Sequence, residues 1–345
     1  MRAIYFTEFN GKLEVKDLPV PVATERGVVI KVEASGLCRS DWHGYVGHDT
    51  DIKLPHVPGH ELAGTIESVG AAVRKFKVGD RVTVPFVNGC GECEYCLRGD
   101  SQVCPKQTQP GFTHWGSFAE LVALENADFN LIKLPDEISF GTAAALGCRF
   151  ATAYRGLATR AQVKKGEWVA VFGCGGVGLS AIMIAKALGA KVIAVDISNG
   201  ALDYAKNIGA DLVINSKNVD AVATIQNECG GADVSVDALG STQTTQASVM
   251  SLKRLGRHLQ LGLLLTPTGF TEMPMARVIA WELDLLGSHG MAAVDYPGML
   301  ELIKSGALMP DKLRATEIGL TQGAKALAEM DSFKSFGITI INPQL

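Results

Sequence analysis

The chain has 345 residues, of which 47% are hydrophobic and 20% charged, enough length and apolar content for two globular domains. A net charge of -4 offers no electrostatic footprint for nucleic acid or an anionic membrane, and no apolar run approaches the roughly 20 residues of a membrane span. The start, Met1–Phe6, lacks the charged and apolar regions of a signal peptide, so the eight cysteines are expected in a reducing cytoplasm, where clustered thiols hold metal or do chemistry more often than they pair.

Met1–Phe6 reads as a strand, and Gly27–Ala34 alternates as a second one that delivers Cys38 at its end. Cys38-Arg39-Ser40-Asp41-Trp42-His43 follows, then a polar loop, then Pro58-Gly59-His60-Glu61. A soft thiolate and a neutral imidazole are the commonest zinc ligands. About 20 residues apart, Cys38 and His60 suit two loops that fold back on each other. The plainer reading of a lone Cys is core packing. Around this pair, Ser40 and His43 can carry protons, Asp41 can orient a liganding imidazole, and Glu61 sets a carboxylate beside His60. Residues 62–69 and 80–84 read as strands joined through the Gly79-Asp80 turn. Short strands with frequent Gly and Pro predict a compact, barrel-like β domain.

Cys90, Cys93, Cys96 and Cys104 form C-x2-C-x2-C-x7-C. Four thiolates this close can complete a tetrahedral shell around one zinc with no open position, which makes a structural site. An iron-sulfur cluster is the alternative, although its bacterial run closes with C-x3-C-P and here Cys104-Pro105 comes later. The lobe of about residues 88–105 is acidic (Glu92, Glu94, Asp100 against Arg98), unlike a nucleic-acid zinc ribbon. Gly116–Leu121 reads as another strand, and a helix from Pro135 leads towards Cys148, by itself a core thiol on a helix.

From about residue 150 apolar strands alternate with helices, the pattern of a doubly wound parallel α/β sheet. Glu167–Phe172 is a strand, Gly173-Cys174-Gly175-Gly176-Val177-Gly178 a G-x-G-x-x-G turn, and a helix runs to about Leu188. Lys191–Val195 is the next strand and ends at Asp196. A glycine turn between strand and helix, with an acid at the next strand's end, is the setting of a dinucleotide site. The glycines let the backbone reach a pyrophosphate at the helix N-terminus, and Asp196 would accept from the ribose hydroxyls. Strands at 232–236, 258–261 and 283–286 follow, and six strands are expected by about residue 286, five of them placed by these runs. Strand-like 313–318, a helix over 322–330 and strand-like 338–341 close the chain. Ligands of such sheets bind at the strands' carboxyl ends, so the active site is expected in a cleft between the domains. His48, His56, His114, His258 and His289 read as surface or packed imidazoles, and Cys174 and Cys229 as structural thiols.

With G-H-E-x2-G-x5-G over Gly59–Gly70, the cysteine lobe and the glycine turn, the chain resembles the zinc-dependent medium-chain alcohol dehydrogenases over nearly its whole length. The resemblance implies a GroES-like catalytic domain (1–149 and 287–345) and a Rossmann domain (150–286). It implies two zinc ions per subunit: a catalytic one on Cys38, His60 and Cys148, with Glu61 an occasional ligand, and a structural one on Cys90, Cys93, Cys96 and Cys104. Ser40 and His43 would relay the alcohol proton. Arg39, Gly173, Gly175, Gly176, Val177, Gly178 and Asp196 would hold NAD, and Phe86 and Trp115 would line the substrate pocket. The partners implied are alcohols and aldehydes, and neither nucleic acid nor membrane. Length and motifs look most like the tetrameric bacterial and yeast enzymes, so a homotetramer is expected, with a dimer as the alternative. Cys148 in place of Glu points away from polyol dehydrogenases, and Asp196 away from the NADP-dependent cinnamyl alcohol branch. Threonine dehydrogenase and a non-catalytic NAD-binding protein on this fold are the rival readings. The stretch Ser198-Asn199-Gly200-Ala201 lacks the Lys or Arg that many relatives place there, which implies looser adenosine binding.

Overall fold

The computed structural model describes residues 1–265, 270–331 and 337–345, and the chain divides into two compact units. One comprises Met1–Ala151, Gly290–Lys304 and Arg314–Leu345, the other Thr152–His289 and Ser305–Leu313. The return of the chain to the first unit is therefore interrupted. Residues 305–313 pack with the second unit, where the Tyr204 hydroxyl donates to the Lys312 carbonyl.

In chain order the elements that place the sites are β1 (Arg2–Tyr5), β2 (Glu14–Asp17), β3 (Val28–Gly36), α1 (Arg39–Tyr45), β4 (Glu61–Val69), β5 (Arg81–Thr83), β6 (Leu121–Leu124), β7 (Ile132–Lys133) and α2 (Phe140–Ala144). They continue with β8 (Trp168–Phe172), α3 (Gly176–Ala187), β9 (Lys191–Asp196), β10 (Leu212–Asn215), β11 (Ala232–Asp237), β12 (Leu252–Gln260), β13 (Asp284–Gly287), β14 (Arg314–Ile318), α4 (Leu320–Ala328) and β15 (Ile338–Ile341).

In the first unit β1 and β2 pair as an antiparallel hairpin, and the larger sheet runs β14-β15-β3-β4-β5-β7 with β6 also on β3. Alternate residues of β3, Val28, Ile30 and Val32, are fully buried against Leu62, Ile66, Val82 and Val122. Burying each such side chain contributes about 1.5–3 kcal/mol, which fixes the face of β3 and hence its register. That register sets Gly36, the last residue of β3, opposite Glu61, the first of β4. The segments just beyond those two ends carry Cys38 and His60, so strand pairing brings together ligands that are remote in sequence.

Two expected elements start later than read. Gly116–Leu121 is strand only from Leu121, because the amides of Ser117 and Phe118 donate to the carbonyls of Gly59 and Pro58. The helix expected from Pro135 begins at Phe140 because Ser139 caps it, its hydroxyl accepting from the Thr142 amide at 3.1 Å.

The second unit is a six-stranded parallel sheet ordered β10-β9-β8-β11-β12-β13, the doubly wound order in which strand sequence reverses beside the first strand. Its inner strands are buried along almost their whole length (Val169–Phe172, Val192–Val195), as sheets covered on both faces require. β10 is a short strand that hydropathy did not single out, and β12 starts at Leu252 instead of His258. No described helix is long and apolar enough to cross a membrane.

Candidate metal and dinucleotide sites

Asp41 organises the first site. Its Oδ2 accepts the Cys38 amide at 2.9 Å, which caps the start of α1. Its Oδ1 accepts the Gly59 amide at 3.1 Å and lies 2.7 Å from His60 Nδ1. An ionised carboxylate only accepts, so the Nδ1 of His60 carries the proton and Nε2 is left as an acceptor. That Nε2 is buried and has no hydrogen-bond partner among the described residues. Cys148 arrives on a wide helical turn, Leu146–Phe150, directly after α2. The ligand atoms of Cys38, His60, Glu61 and Cys148 all lie within 4.8 Å of one another. Cys38 is held well below the usual thiol range, because the Cys148 thiol donates to it and the Arg149 guanidinium adds positive charge against the penalty of burial. A thiolate is the metal-binding form. An orphaned buried imidazole nitrogen facing two sulfurs is satisfied by a cation, and the donor set fits zinc with one position left open.

Glu61 belongs to the same cluster, but its oxygens are engaged. Oε1 accepts from the amides of Cys148 and Arg149, each at 3.0 Å, and from Arg149 Nε at 3.2 Å. Oε2 pairs with Arg149 Nη2, and Arg149 Nη1 donates to the Leu37 carbonyl at 3.0 Å. To serve as an occasional ligand, Glu61 would have to leave this buried guanidinium. Sequence reading missed Arg149 because nothing in Gly147-Cys148-Arg149 shows which carboxylate it will meet.

Two aromatic rings stand against His60, Phe86 at 5.9 Å and Phe112 at 5.1 Å between centroids. Phe112 was not read from sequence. Trp115, expected in the pocket, is turned elsewhere: its Nε1–H donates to the Pro55 carbonyl at 3.2 Å and its ring packs edge-on against Tyr5. Ser40 Oγ lies 3.8 Å from Cys38 Sγ. His43, on the same helix, has its Nδ1 3.0 Å from His48 Nδ1. Burial, with His48 and Arg39 nearby, lowers the His43 pKa to about 4. Arg39 lies over the Trp42 ring at 4.7 Å and pairs with Asp331 at 2.9 Å.

The cysteine lobe is a second centre. Cys90 and Cys96 Sγ are 3.9 Å apart, Cys93 and Cys104 Sγ 3.7 Å. A tetrahedron of Zn–S bonds of about 2.3 Å has edges of about 3.8 Å, so these two distances fit one ion's shell, and all four sulfurs lie within 4.8 Å of one another. Burial pushes the Cys104 thiol up, and the amides of Cys90 and Lys106, which donate to its Sγ at 3.5 and 3.3 Å, oppose that shift. A cluster with one thiolate on each of several irons would hold the sulfurs further apart.

In the second unit the glycine turn joins β8 to α3. Gly173 has φ +92°, and a Cβ at Gly178 would lie 1.8 Å from the Gly173 carbonyl oxygen, so both must be glycine for the helix to pack this close. A Cβ at Gly175 would meet nothing within 4 Å, and the N-terminus of α3 has no side-chain cap. Free first-turn amides beside open space suit a pyrophosphate. Asp196 closes β9 with Oδ2 accepting the Cys174 amide at 2.7 Å and Oδ1 the Ser198 amide at 2.8 Å. These bonds fix the carboxylate beside the turn and leave lone pairs for ribose hydroxyls.

A family model described as "Alcohol dehydrogenase GroES-like domain" matches residues 24–136, and one described as "Zinc-binding dehydrogenase" matches residues 176–305. The chain is 38% identical to an alcohol dehydrogenase of Geobacillus stearothermophilus over 84% of both chains. It is 33% identical to an NAD-dependent alcohol dehydrogenase of Sulfurisphaera tokodaii over 99% of this chain and 100% of that one. Among solved structures, alcohol dehydrogenase TADH from Thermus sp. ATN1 matches with a TM-score of 0.91 at 29% identity, over 99% of both chains.

Proposed function

Because the chain belongs to the zinc-binding alcohol dehydrogenase family with a GroES-like domain, we propose that it interconverts alcohols and their aldehydes or ketones with NAD, and that it does so at the Cys38, His60 and Cys148 centre. The observation that carries this is the buried, unpartnered Nε2 of His60 gathered with two thiols. When bound, zinc supplies the Lewis acidity that makes an alcohol acidic at neutral pH, and NAD supplies the hydride acceptor. The protein's own part is positioning and proton handling. Asp41 fixes the ring and tautomer of His60, and Arg149 neutralises Glu61 behind the centre. Ser40, next to Cys38, takes the alcohol proton, and His43 carries it onward. Phe86 and Phe112 give the site aromatic walls, which favours medium-length and aromatic primary alcohols over ethanol. The wider proposal includes two zinc ions per chain, preference for NAD over NADP, and a homotetramer, the last resting on length and motifs.

The test is NADH formation, followed by absorbance, with ethanol, 1-hexanol, benzyl alcohol, a secondary alcohol and threonine. Benzyl alcohol and hexanol are expected to lead in kcat/KM. A threonine preference would move the chain to another substrate class, and no turnover with any zinc-loaded sample would sink the catalytic reading.

A further inference from the structure

The turn that ends α1, Val46–Gly47, returns His48 to the helix. Gly47 takes φ +84°, and a Cβ there would lie 3.0 Å from the Phe9 ring. The His48 amide donates to the His43 carbonyl at 2.9 Å. Both imidazoles pack edge-on against Trp42, at 5.1 and 5.9 Å. Backbone and ring contacts thus hold the two Nδ1 atoms at 3.0 Å. Two facing imidazole nitrogens attract only if one carries a proton and the other does not.

We propose that His48 positions His43 for proton transfer by accepting its Nδ1–H, which leaves His43 Nε2 bare to take a proton. The inference rests on the reading of His43 as a relay member. His48 is exposed and exchanges with water, so it can adopt either tautomer, whereas a half-buried relay imidazole must present one particular nitrogen. Among the described residues, the charged and titratable groups acting on His43 are Arg39 and Cys38 from the start of α1, Asp331 from the C-terminal segment, and His48 itself. When His43 takes a proton at Nε2, its Nδ1–H already has an acceptor, and the cation shares its charge with a ring open to solvent. Loss of the Nε2 proton to solvent restores the starting form. As the Nε2–H bond forms, an O–H bond of the preceding relay hydroxyl breaks, and as the Nε2–H bond breaks a solvent oxygen takes the proton.

The experiment uses the zinc-loaded enzyme and its His48→Ala, His48→Asn and His43→Gln variants. Two quantities are read: turnover at a pH where proton release limits the rate, and the His43 tautomer from its ring nitrogen shifts in ¹⁵N-histidine protein. His48→Ala should slow turnover about two- to tenfold, the range a single hydrogen bond supplies, and should shift His43 away from the Nδ1–H form. His48→Asn, which keeps an oxygen acceptor near the same place, should retain most of both. If His43→Gln is slow while His48→Ala keeps wild-type turnover and tautomer, the inference is overturned. Slow His48→Ala enzyme with an unchanged tautomer overturns it as well. Wild-type rates in His43→Gln would instead remove the relay reading and the catalytic half of the inference with it. The tautomer measurement would still decide the positioning half.

Discussion

The choice between NAD and NADP turns on one fixed charge. Asp196 is held by two backbone amides, at 2.7 and 2.8 Å, so it cannot swing away from a 2′-phosphate placed at the end of β9. Like charges about 4 Å apart repel by about 1 kcal/mol in water and about 4 kcal/mol at an effective dielectric of 20. Asp196 is only partly buried, which sets the expected penalty between those limits. At 1.4 kcal/mol per tenfold, the preference for NAD should be on the order of 10². The informative change is Asp196→Asn, which keeps the shape and one amide bond while deleting the charge. It also turns an NH₂ towards the second amide, so binding of both cofactors should weaken by the worth of one charge-assisted bond, about 1.5–3 kcal/mol. That loss arises in a turn the two cofactors share and cancels in their ratio. The ratio of kcat/KM for NAD to that for NADP should therefore fall at least tenfold in Asp196→Asn. It should fall further when Ile197, 57% exposed and free of core packing, also becomes Arg and can pair with phosphate. A wild-type enzyme indifferent to the two cofactors, or an Asp196→Asn ratio within twofold of wild type, would refute the reasoning.

Cys93→Ser should lower the zinc content from two ions per chain to one and expose the lobe of residues 88–105 to proteolysis, since a closed thiolate site contributes folding energy; unchanged metal analysis would contradict it. Arg149→Met should cost about 3–5 kcal/mol in denaturant unfolding, because it strands a buried carboxylate, and Glu61→Gln added to it should recover much of the loss. A cost below about 1 kcal/mol would mean that the pair is not desolvated as the geometry indicates. Burial lowers the His56 pKa to about 4. Below its ordinary value of about 6.5 the unfolded chain binds a proton that the native state refuses. Stability should then fall with pH from about 6.5 to about 4, by up to about 3 kcal/mol, and this contribution should level off below. The drop in unfolding midpoint between pH 7 and 4.5 should be smaller in His56→Gln, and equal drops would exclude His56 as a cause.

The fold was legible wherever burial leaves a period in the sequence. β8 and β9 are covered on both faces, so their apolar runs stand out, and β3 alternates in its middle, where Lys31 and Glu33 are the less buried neighbours of Ile30, Val32 and Ala34. The misplaced starts have a different origin. Gly116–Phe118 has the composition of a strand, yet its amides go to the loop before His60, a choice of partner made in three dimensions. The late start of α2 was readable: Ser139-x-x-Thr142 is a helix-capping pattern, and Pro135 distracted from it.

At the sites, soft and clustered donors announced themselves, because Cys and His in loops with family spacing have few other uses. The residues that set the state of those donors did not. Arg149 and His48 are common residue types whose roles depend on meeting Glu61 and His43, and Phe112 matters only because its loop folds onto His60. Trp115 fails in the opposite sense: it is conspicuous in sequence, but Tyr5 and Pro55 claim it. Asp41 lies between these cases. Its place three residues after Cys38 is readable as a helix cap, and the same carboxylate bonds Gly59 and orients His60. The helix start, the loop and the tautomer of a metal ligand therefore depend on one side chain.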